Sequence, residues 1–131
     1  MKSNFVFYQP NCHDTKLQFG DCSVRALCKS ECKTWLEIYD ELCRIGRILH
    51  SMPNGKTAYE KYLKSHKYEY TGVTNKKGSK RPTVNSFCDD NTQGTFIAVV
   101  ANHYVCIQDG KYHDTWDSGD KSMYGFWQKT T

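Results

Sequence analysis

Hydrophobic positions recur at helical spacing through the first half of the chain and change to strand-like runs in the second. Residues 4–9, Asn-Phe-Val-Phe-Tyr-Gln, read as a short opening strand, and Pro10 to Gly20 as a polar loop. Asp21 is placed to cap a helix over 22–33, with Val24, Leu27 and Cys28 turned to the core. Thr34 with Glu37 three residues on is a capping box. Trp35, Ile38, Tyr39, Leu42 and Ile45 then trace one helical face as far as Leu49. Thr57 and Glu60 repeat the capping-box spacing and predict a shorter helix with Tyr59, Tyr62 and Leu63 on one side. Residues 68–73 read as a strand. The stretch 75–82 holds Lys76, Lys77, Gly78, Lys80 and Arg81 and reads as an exposed loop. Pro82 suits the first turn of a short helix through Val84 and Phe87.

The second half is simpler. Residues 95–100, Thr-Phe-Ile-Ala-Val-Val, form a strand expected to be buried on both faces. His103 to Gln108 is another, and Asp109-Gly110 is a two-residue hairpin turn that returns Lys111 to Trp116 antiparallel. Tyr124, Phe126 and Trp127 are expected to pack back on the body. Helices precede strands, so the fold class is α+β, with N-terminal helices packed on a C-terminal antiparallel sheet. The 131 residues fit one domain, 1–131, large enough to bury a core without disulfides.

Composition narrows the chemistry. A net charge of +4 is too weak alone to argue for nucleic acid. The longest apolar run, 96–101, is strand-sized and far short of a membrane span. The N-terminus has no signal-peptide pattern, which predicts a cytosolic protein. The seven cysteines, an odd count, then read as reduced thiols, most of them small buried hydrophobes. Cys28 and Cys32 lie four apart on a helix and Cys12-His13 lies nearby, but no pair has zinc-like spacing. No metal or other cofactor is expected.

One cysteine differs from the rest. Cys22 opens a helix, where unpaired N–H groups and the positive dipole end favour thiolate over thiol. The charge of Asp21 opposes this unless its carboxylate is committed to capping. A thiol nucleophile needs a base, and the base needs an orienter. The hairpin offers both. With Gln108 paired to Lys111, His103 falls opposite Trp116 and Asp114 lies diagonally beside it. His103, Val105 and Ile107 then share a face with Trp116, Asp114 and Tyr112. A one-residue bulge would make Asp117 the orienter instead. His113 faces the other way, and His13, His50 and His66 carry no such pattern. The plain alternatives are a buried structural thiol at Cys22 and an edge-strand histidine at His103.

The segment Gly20-Asp21-Cys22-Ser23-Val24-Arg25-Ala26-Leu27, followed by a strand His and an adjacent-strand Asp, resembles the papain-like superfamily. It is similar to the bacteriocin-processing peptidases and to small phage or mobile-element proteins of that fold. His103 through Asp109-Gly110 to Asp114 is similar to the transglutaminase-like core. The resemblance covers roughly residues 11–28 and 95–117 and implies a papain-like fold and a thiol hydrolase. Cys22 would attack a peptide or isopeptide amide, His103 would be its base and Asp114 would orient His103. Such enzymes carry a Gln a few residues before the Cys for the oxyanion. Gln18 is the only Gln there and sits closer than the usual spacing; Asn11 is the other side-chain amide. A deamidase or transglutaminase would use the same triad. A non-catalytic module on this fold, capturing a host protein or nucleic acid, is the reading from another class, and a nucleic-acid binder using the basic loop is a third.

Overall fold

The computed structural model describes residues 3–12, 20–73 and 80–130. Four helices and six strands follow in the order β1 (Phe5–Phe7), α1 (Cys22–Glu31), α2 (Trp35–Leu49), α3 (Lys56–Ser65), β2 (Tyr68–Gly72), α4 (Val84–Asp90), β3 (Thr95–Val100), β4 (His103–Gln108), β5 (Lys111–Asp114) and β6 (Gly125–Lys129). The architecture is α+β. Its one sheet has the order β1-β5-β4-β3-β6-β2. The expected C-terminal antiparallel sheet is corrected in two respects. The sheet is mixed, because β1 runs parallel to β5, and its two edge strands, β1 and β2, precede α4 in the chain. The C-terminal aromatic segment is itself a strand, with Trp127 between Ile97 of β3 and Tyr70 of β2.

Alternation along the strands builds two cores. Ile97, Cys106, Trp127 and Tyr68 face α1, α2 and α3 and meet Leu27, Ile38, Leu42, Tyr59 and Leu63. The opposite face carries Phe96, Ala98, Val100, Val105, Ile107 and Tyr112 and packs on Val84, Phe87 and Cys88 of α4. Residues 95–100 are accordingly buried from both sides. The β4–β5 hairpin keeps the expected register, Gln108 to Lys111 and Cys106 to His113. Asp109 and Gly110 both take positive φ, 50° and 77°, the pair of left-handed residues that a tight hairpin turn needs.

Four local expectations are corrected. The α2 capping box forms as read, with Thr34 Oγ1 accepting from Glu37 N–H at 3.2 Å. The second one does not. The chain turns at Gly55, whose N–H donates to Met52 O at 2.9 Å, and α3 starts a residue before Thr57 with no side-chain cap. Pro82 lies outside α4; Thr83 is the N-cap, in a capping box with Ser86. The first helix stops at Glu31, because Cys32 takes φ 57° and returns its N–H to Cys28 O. The return strand ends at Asp114, whose own Oδ1 takes the Thr115 N–H at 2.8 Å. The cysteines also differ from expectation. Cys28, Cys88 and Cys106 are buried, Cys22 and Cys43 are half-buried, and Cys12 and Cys32 are exposed. No helix among the described residues is long and apolar enough to cross a membrane.

Candidate active site

Helix α1 lies across β4 and also touches β3 and β5. Strand parity puts His103 on the face of Val105 and Ile107, opposite the face α1 covers. Cys22 and His103 meet because each is the first residue of its element. The thiol lies at the sheet end, within electrostatic reach of the His103 imidazole and of the backbone N–H of Tyr104. His103 Nε2 in turn lies 2.6 Å from Asp114 Oδ2. That leaves Nδ1 as the ring nitrogen for the sulfur.

The proton balance of this chain is unusual for a cysteine. Burial pushes Cys28, Cys88 and Cys106 up to about 12. Burial also opposes ionisation of Cys22, but the His103 hydrogen bond, the Tyr104 N–H and the charges of His103 and Arg25 bring it below the ordinary thiol value. For His103, burial alone would favour the neutral ring. The hydrogen bonds to Asp114 and Cys22 and their charges win, and the imidazole is pushed up to about 9. The two shifts agree in direction and favour a thiolate–imidazolium pair.

Asp114 is fully engaged. Oδ2 also accepts from Ser118 Oγ at 3.0 Å, and Oδ1 accepts from Arg25 Nη2 at 3.4 Å. Asp114 is 3% exposed and His103 is buried, and the Trp116 ring, itself exposed, stands 4.8 Å from the His103 ring. Asp117, the competing orienter, is excluded by geometry. It accepts from Tyr112 Oη and from Gly119 N–H at 3.0 Å, because β5 continues to Asp114 without a bulge. His113 faces away as expected and packs edge-on against Tyr8.

The expectation that Asp21 caps α1 is corrected. Asp21 occupies the cap position but makes no cap hydrogen bond. Its Oδ1 pairs with Arg25 Nη1, and its Oδ2 accepts from Trp35 Nε1 at 3.0 Å and from Asn11 Nδ2 at 3.5 Å. Arg25 N–H is bonded to Asp21 O, so the backbone N–H groups of the first turn have no partner within the helix. They can receive negative charge developing beside the sulfur. Gln18 and His13 lie outside the described residues. Asn11 is tied to Asp21 and, through its backbone N–H, to Gln9.

The sequence does not single out Arg25, Ser118 or Trp35 as site residues; Trp35 reads there only as part of the α2 face. Arg25 had a signal: it stands four residues after Asp21, an ion-pair spacing on a helix. Ser118 and Trp35 reach the site through loop and tertiary geometry that no local pattern encodes. Among the described residues no three His, Cys, Asp or Glu side chains are grouped so as to hold a metal ion. The Cys28–Cys32 pair is separated by burial, one inside and the other exposed. Set against protein-family models, curated proteins and solved structures, the chain matches none of them, so the chemistry of the site rests on its own geometry.

Proposed function

We propose that the protein is a thiol hydrolase of papain-like architecture that cleaves a peptide or isopeptide amide through Cys22, His103 and Asp114. The observation that carries this reading is the 2.6 Å His103–Asp114 pair beside Cys22 at the start of α1, with the thiol lowered and the imidazole raised. A nucleophile at a helix N-terminus, packed on antiparallel strands that carry the base and its orienter, supports the same architecture.

The steps follow from the charges. The Cys22 thiolate attacks the carbonyl carbon, and the carbonyl π electrons move to oxygen. The first-turn N–H groups of α1 stabilise that oxyanion. His103 imidazolium gives its proton to the departing nitrogen as the C–N bond breaks and a thioester remains. Neutral His103 then takes a proton from water, which attacks the thioester and releases acid and thiolate. Asp114 holds the ring in one orientation and stabilises its protonated form.

The test is a pooled peptide library with wild type and Cys22→Ala, read by mass spectrometry and by ammonia release. Chain cleavage by wild type, absent in Cys22→Ala, supports the proposal. Ammonia release without cleavage identifies a deamidase and contradicts the peptide-bond assignment. Specific retention of intact library members by both proteins identifies a binding module.

A further inference from the structure

Arg25 lies one turn along α1 from Asp21, and its side chain is 11% exposed. Its two terminal nitrogens go to different carboxylates: Nη1 to Asp21 Oδ1, and Nη2 to Asp114 Oδ1 at 3.4 Å. Both acids are buried, at 7% and 3% exposure. One is the chain neighbour of the nucleophile, and the other is the partner of the base. Nothing in the Cys-His-Asp chain itself ties Asp21 to Asp114; the guanidinium does.

Two physical consequences follow. An unpaired carboxylate beside Cys22 would oppose the thiolate, and a buried charge without a partner is costly. The planar fork of Arg can serve two acceptors at once, whereas a lysine ammonium is a single point charge on a flexible stem. The same bridge joins α1 to β5, the elements that carry the two ends of the triad.

We infer that Arg25 is a positioning residue for the thiol–imidazole pair, clamping Asp21 to Asp114 and neutralising the acid beside Cys22. This rests on the thiol-hydrolase reading and adds the residue that sets the pH range of its nucleophile. The titratable groups facing Cys22 are His103 and Tyr104 of β4, Arg25 of its own helix and Tyr59 of α3. Tyr59 and Tyr104 are both pushed up, burial first, and stay neutral in the relevant range. Asp21 and Asp114 stand behind Arg25.

The test is the rate of Cys22 alkylation by iodoacetamide against pH. It compares wild type, Arg25→Met, Arg25→Lys and the double variant Arg25→Met/Asp21→Asn, with thermal melts to show that each is folded. Arg25→Met is expected to move the midpoint up by about one pH unit, the size of one lost charge near a partly buried site. The double variant, which removes the acid as well, is expected to return most of that shift; damage to the fold would not be returned. If Arg25→Met does not fold, Arg25→Lys carries the test with a smaller upward shift. A midpoint unchanged in the folded Arg25 variants overturns the inference and leaves the hydrolase reading standing. A wild-type Cys22 that labels as an ordinary thiol, independent of His103, overturns both.

Discussion

His103 Nε2 and Asp114 Oδ2 stand 2.6 Å apart although the two residues are not direct cross-strand partners. The register that pairs Cys106 with His113 sets Asp114 opposite Val105, one diagonal step from His103. A short carboxylate covers that step only because β5 ends there and Asp114 turns with the chain. Asp114→Asn keeps the shape but removes the charge that favours imidazolium. It is expected to lower kcat/KM by about 10²–10⁴-fold, the range of a positioned acid–base contribution. Asp117→Asn, whose partner is Tyr112, is expected to leave kcat/KM within about threefold of wild type, a change of under 1 kcal/mol. Equal losses in the two variants would contradict the assignment of the orienter.

The thiolate and the imidazolium must be present together, which fixes the form of the pH profile. The Cys22 proton leaves below its ordinary 9.0, and His103 keeps its proton up to about 9. Turnover is expected to rise through an acid limb set by the lowered thiol and to fall through an alkaline limb near 9 set by His103. A rate that keeps rising through the free-thiol range would contradict the ion pair. Stability carries the same sign for His103. Its contribution is intact below the unfolded value of 6.5 and is lost as pH rises through about 9.

His113 gives the opposite case on the other face of the same hairpin. Burial, then the charge of Lys29, pulls its imidazole down to about 4 from 6.5. Below 6.5 the unfolded chain takes up a proton that the folded chain refuses. This contribution is therefore intact above 6.5 and is lost as pH falls toward 4. Relative to His113→Gln, wild type is expected to lose Tm progressively through that window. Parallel Tm–pH curves for the two proteins would contradict a neutral buried His113.

The two threonines with capping-box spacing separate cleanly. Thr34→Ala removes a real cap and is expected to cost about 1 kcal/mol. Thr57 is inside α3, past its start at Lys56, so Thr57→Ala is expected to be neutral or stabilising by a few tenths of a kcal/mol. Urea unfolding of both variants measures the difference. Equal destabilisation would contradict the start of α3 at Lys56.

Much of the site was legible because it is local. Turn chemistry at Asp109-Gly110 and strand parity were enough to put Asp114 beside His103, and a cap-type residue at Asp21 was enough to start α1 at Cys22, although its carboxylate makes no cap bond. What the sequence did not reveal depends on distant partners. Strand β6 is an aromatic tail in the sequence and becomes a strand only because β3 and β2 present free edges on either side. β1 has three residues and no pattern that tells parallel pairing with β5 from any other. Asp21 looked like a cap because Asp is a good one, but a buried arginine one turn away is a stronger partner. Ser118 and Trp35 reach the site only through tertiary geometry, whereas the Asp21–Arg25 pair is one helical turn and was legible in the spacing.

The most direct measurement is to expose the folded protein to limiting iodoacetamide between about pH 6 and 7, below the ordinary thiol range, and map the modified cysteines by mass spectrometry. The Cys22–His103–Asp114 assignment predicts preferential alkylation of Cys22 over the exposed Cys12 and Cys32, lost in His103→Ala. Labelling of Cys12 and Cys32 ahead of Cys22, with a Cys22 rate that His103→Ala does not change, would contradict it.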